Sequence, residues 1–190
     1  MTAAKATEPD GKARCAWATS APEYIDYHDA EWGTPLHGDD ALFERLCLEA
    51  FQSGLSWLTI LRKRPAFRAA FAGFHIPTVA AFGPPDRDRL MADAGIVRNG
   101  AKVDAAIANA RTAAELPEGL DALLWSFAPA GHHRPQSLSE VPATSAESVA
   151  MAKALKKRGF RFVGPTTAYA LMQATGMVDD HVASCWRASA

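Results

Sequence analysis

Residues 155–167 read LKKRGFRFVGPTT, and the fold turns on this stretch. Ser145 and Ser148 open a helical pattern that ends in Lys156, Lys157 and Arg158. Gly159 and Gly164 then bracket a tight hairpin, and Pro165 starts a second helix that runs through Ala174. The backbone N–H groups at Gly164 sit at the positive end of that helix, which suits a phosphate. Lys156, Lys157, Arg158 and Arg161 surround the same point. An isolated basic run of this kind can equally complement the dipole at a helix C-terminus. Combined with a glycine-bracketed hairpin between two helices, it favours a nucleic-acid backbone, bound without regard to sequence and in a salt-sensitive way.

Working outward, apolar residues recur at three- and four-residue intervals and alternating β-branched runs are nearly absent, so an all-α fold is expected. Asp39 or Asp40 caps a helix to about Ser53, which stops at Gly54. Ser56 opens another through Leu61, and Pro65 starts a further turn. Helices are expected over 78–82, 86–94, 101–115 and 118–127. Residues 128–145 carry Pro, Gly and Ser and read as a long surface loop, with His132 and His133 solvated rather than ligating.

The chain has 190 residues, 48% of them hydrophobic, enough for one core or two small lobes sharing one. Residues 1–13 are expected to be an unstructured leader and 14–190 a single helical domain. Neither a signal peptide nor a membrane span is visible, and three cysteines point to a reducing, cytoplasmic setting rather than a disulfide framework. A net charge of −1 neither requires nor excludes a polyanionic partner.

Cys15 and His28 near the start, with His181 and Cys185 near the end, make up the donor set of a closed tetrahedral zinc site. The His-x-x-x-Cys spacing would place the second pair on one helix face. Each pair alone also reads as buried thiols and unrelated histidines.

The segments RCAW (14–17), YHDAEWG (27–33), LEAFQSGLSW (48–57), DAGIVRNGAK (93–102), LKKRGFRFVGPTT (155–167) and DDHVASC (179–185) resemble those of the 3-methyladenine DNA glycosylase I family, in order across nearly the whole chain. The resemblance implies a helix-hairpin-helix base-excision enzyme, a monomer acting on double-stranded DNA that contains alkylated bases. It also implies one structural Zn²⁺ on Cys15, His28, His181 and Cys185, joining the two termini. On the same basis Trp17, Tyr27, Trp32 and Trp57 occupy pocket positions, Glu49 is the base-recognising acid, and Tyr27 and Glu49 carry the catalytic site. Leu55 fills the gap left by the extruded nucleotide.

The chemistry agrees with those residue types. Methylation at N3 makes adenine cationic and a good leaving group, so extruding and holding the base is the main task. Ring faces each attract a cation by roughly 0.5–2 kcal/mol. Taken alone, the aromatics also read as core. At about 100° per residue, Glu49 lies about 20° from Leu42 and about 40° from Arg45, on the border of the apolar stripe. It can face a cavity or pair with Arg45 at the surface.

Thr166 stands where bifunctional relatives of this fold carry a nucleophilic lysine, which implies hydrolysis without strand cleavage. Asp179 either stabilises charge on the sugar, or one of Asp179 and Asp180 caps a last helix. Phe51 departs from the polar residues usual in its segment, and Trp186 has no assigned part. A zinc-stapled binding module without catalysis, or a metallohydrolase, are the rival readings.

Overall fold

The computed structural model describes residues 10–189; the leader expected over 1–13 lies outside it except for its last four residues. Those four are held. Asp10 pairs with Arg14, Lys12 Nζ sits 4.0 Å from the Trp186 ring, and Ala13 O accepts from Trp186 N at 2.7 Å.

Among the described residues the chain forms α-helices and short 3₁₀ turns and no strand. The helices are α1 (Pro22–Ala30), α2 (Asp39–Gln52), α3 (Trp57–Ala70), α4 (Ile76–Ala80), α5 (Pro84–Ala92), α6 (Gly100–Ala114), α7 (Leu120–Trp125), α8 (Ala146–Lys157) and α9 (Pro165–Ala174). None is long and apolar enough to cross a membrane.

Helix α2 is the central post and packs against α3, α4, α6, α7 and α9. Its continuous buried run from Arg45 to Phe51 reflects partners on several sides, so the apolar stripe read from the sequence is wider than one face. Asp39 and Asp40 do not cap it; Gly38 does. Asp39 Oδ1 accepts from Asp121 N at 2.8 Å, and Asp40 Oδ1 accepts from Ile76 N at 2.8 Å. Each aspartate thus supplies an acceptor to the first turn of a neighbouring helix, α7 or α4, while its charge complements the dipole of α2.

Helix α3 starts as the sequence suggests, with Ser56 Oγ accepting from Thr59 N at 3.2 Å. It does not stop at Leu61. Pro65 lies inside it, and the helix continues because Phe67 and Ala70 bury the face that Ile60 and Leu61 begin. Tertiary packing here outweighs the helix-breaking tendency of proline. Helices α4 and α5 begin two residues earlier than expected, α4 at the position held by Asp40 and α5 on Pro84, a proline tolerated in a first turn.

The hairpin between α8 and α9 follows the sequence reading. Ser145 and Ser148 form a reciprocal cap on α8. Gly159 has φ 101°, a left-handed conformation that favours glycine. Phe162 also adopts positive φ, 57°, and is held there by its neighbour: Arg161 N donates to Asn109 Oδ1 at 2.8 Å and Arg161 O accepts from Asn109 Nδ2 at 3.0 Å. Asn109 is buried on α6.

Phe51 is fully buried, 4.8 Å from Phe67 and 5.9 Å from Phe71 between ring centroids. Its departure from a polar residue therefore belongs to the core. A second, smaller apolar cluster unites the two ends of the chain: Cys15, Tyr27 and Trp32 with Val182 and Cys185, flanked by Trp17, Trp57 and Trp186.

Candidate active site

A cavity of about 600 Å³ opens between α1, α2, α3 and α9. Trp17, Tyr27, Trp32, Trp57 and Glu49, the pocket residues read from the sequence, all line it. The rings meet edge-on or tilted: Trp17 and Trp32 at 5.1 Å and 79°, Tyr27 and Trp57 at 5.5 Å and 51°. Such contacts fix each ring in place while leaving π surface for a planar guest. Trp57 Nε1 is buried without a partner.

Glu49 is 5% exposed and does not pair with Arg45. Arg45 and Arg64 are both engaged by Glu31, the latter through contacts of 2.6 and 2.7 Å. Burial pushes the Glu49 carboxyl up to about 8, against a smaller opposing pull from Arg45. Burial, and secondarily the Glu49 charge, also hold the Tyr27 hydroxyl well above its usual range.

The sequence reading missed several lining residues: Tyr24, Gln52, Leu138, Val141 and Gln173. Tyr24 gave a partial signal through its place one turn before Tyr27; its hydroxyl accepts from Leu58 N at 2.9 Å. Leu138 and Val141 gave none, because they belong to the loop expected to be solvated. That loop instead folds onto the C-terminal segment: Ala183 N donates to Pro135 O at 2.9 Å and Arg134 binds Asp179. His132 Nε2 lies 2.8 Å from the buried Asp180, so it is not a free surface group. Lys102, quoted only as part of a motif, reaches from α6 to the end of α2 and donates to Phe51 O at 3.0 Å and Ser53 O at 2.6 Å. It supplies donors to carbonyls that a helix C-terminus leaves unpaired.

Next to the cavity, Cys15, His28 and Cys185 are buried with donor atoms within 4.8 Å of one another, a group that could hold a metal ion. The two sulfurs lie close enough to interact, and that interaction, ahead of burial, holds the Cys15 thiol above its usual range and the Cys185 thiol below it. His28 Nδ1 lies 2.8 Å from Asp29 Oδ1, which turns Nε2 toward Cys185 Sγ at 3.4 Å. Asp29 is itself fixed by Arg14 and, at 3.2 Å, by Trp186 Nε1, which gives Trp186 a part.

His181 adjoins this group, its ring 4.8 Å from that of His28. Its Nδ1 is 2.7 Å from Asp179 Oδ1, and its Nε2 is buried without a hydrogen-bond partner. His181 and Cys185 are not on a helix as their spacing suggested; residues 181–185 form an irregular turn before a 3₁₀ segment at Trp186–Ser189. The turn nevertheless brings the pair together, and Gly33 makes room for it. With φ 72°, a Cβ on Gly33 would fall 2.7 Å from His181 Cε1. Asp179 neither lines the cavity nor caps a helix, since it is occupied by His181 and Arg134.

On the outer face, Leu55 is 41% exposed in the turn after Gly54. Lys156, Lys157 and Arg161 are exposed beside the hairpin, whereas Arg158 is drawn to Glu118 at 2.7 Å. Gly164 has φ −89° and open space where a Cβ would stand, so neither backbone strain nor a protein neighbour accounts for glycine there.

A cavity of aromatic rings around one buried acid, set between the helices of an all-α fold, defines a receptor for a flat, electron-poor guest. The profile of the methyladenine glycosylase family matches residues 17–188, and the chain belongs to that family. It is 46% identical over 180 residues to the DNA-3-methyladenine glycosylase 1 of Escherichia coli (strain K12), covering 90% of this chain and 95% of that one. It is 42% identical to the DNA-3-methyladenine glycosylase of Haemophilus influenzae, covering 90% and 96%. The solved structure of 3-methyladenine DNA glycosylase I from Staphylococcus aureus, described for its recognition of 3-methyladenine, superimposes with a TM-score of 0.86 at 34% identity, covering 91% and 95%.

Proposed function

We propose that this protein is a base-excision repair enzyme that hydrolyses the N-glycosidic bond of N3-methyladenine in alkylated DNA, releasing the base and leaving an abasic site. The observation that carries this reading is the aromatic cavity with Glu49 buried in its wall. The extruded base is cationic at N3, and its ring slots among Trp17, Trp32, Trp57 and Tyr27, whose faces favour positive charge. Burial makes Glu49 costly to ionise alone, and a bound cation offsets that cost. The carboxylate therefore rewards a charged lesion over neutral adenine. Tyr27, kept protonated, serves as a donor.

Leaving-group activation resides in the lesion itself, so no strong general acid is required of the chain. None of the residues lining the cavity is a lysine, and Thr166 is the second residue of α9, in keeping with a hydrolase that leaves the strand uncut.

The hairpin holds the DNA backbone. Gly164 lets a phosphate approach the N-terminus of α9, Lys156, Lys157 and Arg161 add charge, and Arg158 joins them as far as Glu118 allows. Leu55 enters the stack vacated by the flipped nucleotide. Cys15, His28, His181 and Cys185 would hold a structural Zn²⁺, which supplies cross-linking of the two termini and no reactive position, since all four ligands are protein atoms. The buried, unpaired Nε2 of His181 supports it as the fourth ligand, and Asp29 and Asp179 orient the two imidazoles.

The test is base release from methylated duplex DNA by folded wild type and Glu49→Gln at excess enzyme. Release of 3-methyladenine without strand cleavage, slowed in the variant, is expected. Folded, metal-loaded wild type that releases nothing would refute the reading.

A further inference from the structure

Gln173 lines the cavity from α9, and its amide is not free to choose which end it presents. Its Nε2 donates to Asp180 Oδ2 at 2.7 Å, and the same oxygen accepts from the Tyr169 hydroxyl at 2.8 Å. Asp180 is 1% exposed, and His132 Nε2 lies 2.8 Å from its other oxygen. Burial, and then the Asp180 contact, push the Tyr169 hydroxyl above its usual range, which keeps it a donor. Turning the Gln173 amide over would set its oxygen against a carboxylate oxygen and strip a buried acceptor of a donor. The nitrogen is therefore spent on Asp180, and Oε1 is the polar atom left for the cavity.

We propose that Gln173, locked by Asp180, is a specificity-determining residue that selects purines carrying an amino group rather than an oxo group at C6. The inference rests on the glycosylase reading above and deepens it. A C6 amino group offers N–H donors to an acceptor that cannot change its character; a C6 oxo group, as in 3-methylguanine, brings two acceptors together. Glu49 cannot supply this discrimination by itself. With its carboxyl pushed up to about 8 it can stand protonated or ionised near neutral pH, and so can donate to an oxo group or accept from an amino group. Gln173 has no such choice. Asp180 is the positioning residue behind it.

The test is single-turnover release of 3-methyladenine and 3-methylguanine from the same methylated duplex, for wild type, Gln173→Leu and Asp180→Asn matched for zinc content and circular dichroism. Gln173→Leu should lower the rate ratio of 3-methyladenine to 3-methylguanine by roughly tenfold. Asp180→Asn, which can donate as well as accept, should free the amide to turn and raise 3-methylguanine release in absolute terms, an effect that mere loosening of the fold would not give. An active wild type with an unchanged ratio in Gln173→Leu overturns the inference alone, and that variant decides the matter if Asp180→Asn fails to fold. Wild type that releases neither base overturns the glycosylase reading and this inference with it.

Discussion

Glu49→Gln should stabilise the free protein in alkaline solution while impairing its reaction. The rise of the Glu49 carboxyl from 4.5 to about 8, at roughly 1.4 kcal/mol for each pH unit, corresponds to roughly 5 kcal/mol of preference for the neutral acid in the folded chain. A carboxyl whose folded pKa lies above its unfolded value contributes stability that is full below the unfolded pKa and lost as pH rises through the folded one. The window is therefore pH 4.5 to about 8. At pH 5 acid and amide are both neutral, and the variant should melt within about 2 °C of wild type. At pH 8.5 wild type holds a largely ionised buried carboxyl, and most of that roughly 5 kcal/mol has been lost. Admitting water to the open cavity removes about half of it. That leaves roughly 2 kcal/mol, or about 4–8 °C in Tm for a domain of this size. Calorimetric melts of both proteins, zinc-loaded, at pH 5 and pH 8.5 decide it. Equal differences in Tm at the two pH values would refute the placement of Glu49 as a buried, unpaired acid.

Further consequences follow from the other sites. Cys185→Ser should abolish stoichiometric zinc binding, read by metal analysis, and expose the aromatic cluster, read as a red shift in tryptophan emission; a variant that retains one zinc per chain would exclude Cys185 as a ligand. Leu55→Ala should weaken base extrusion, measured with a fluorescent base analogue beside the lesion, by roughly tenfold while the melt stays unchanged, because the side chain is exposed. Lys157→Ala should lower the slope of log affinity against log salt by about 1, equally for undamaged and damaged duplex. Phe51→Ala should cost roughly 3–5 kcal/mol in urea unfolding and leave the ratio of excised bases unchanged, since its ring packs on Phe67 and Phe71 rather than in the cavity.

What could be read from the sequence was what depends on local chemistry. Ser56, Ser145 and Gly159 marked helix ends and a turn because their side chains, or the lack of one, act on backbone a few residues away. Asp39 and Asp40 were misread for the converse reason: their partners, Asp121 and Ile76, are distant in sequence. The pocket aromatics and Glu49 were reached through family resemblance, since periodicity left Glu49 on a border that only the Glu31–Arg45 pair resolves. Gln173 carried no local pattern, and reading Asp180 as a helix cap and His132 as a solvated loop residue gave no hint that the two meet. Their roles come from a loop that binds back on the C-terminal turn.

That loop and turn also give the proposed metal clamp a reason to lie so near the cavity. Each proposed ligand at the N-terminal end has a pocket residue for a close neighbour in sequence: Cys15 precedes Trp17, and His28 follows Tyr27. Across the site, the Trp32 ring lies 4.7 Å from His181 and the Trp17 ring 5.4 Å from His28. The walls of the aromatic cage are thus the packing shell of the four donors. Helix α1 offers little stability of its own, being one short helix capped by no side chain. The 3₁₀ turn that carries Trp17 has none either. Fixing His28 and Cys15 to the C-terminal turn through a metal would hold both elements, and Trp17 and Tyr27 with them, against α2 and α3. Metal binding at the proposed site would act on the reaction through the shape of the cavity. Loss of the ion should therefore weaken capture of the free base before it disturbs the core of α2, α3 and α6, whose apolar cluster shares only Trp57 with the clamped one.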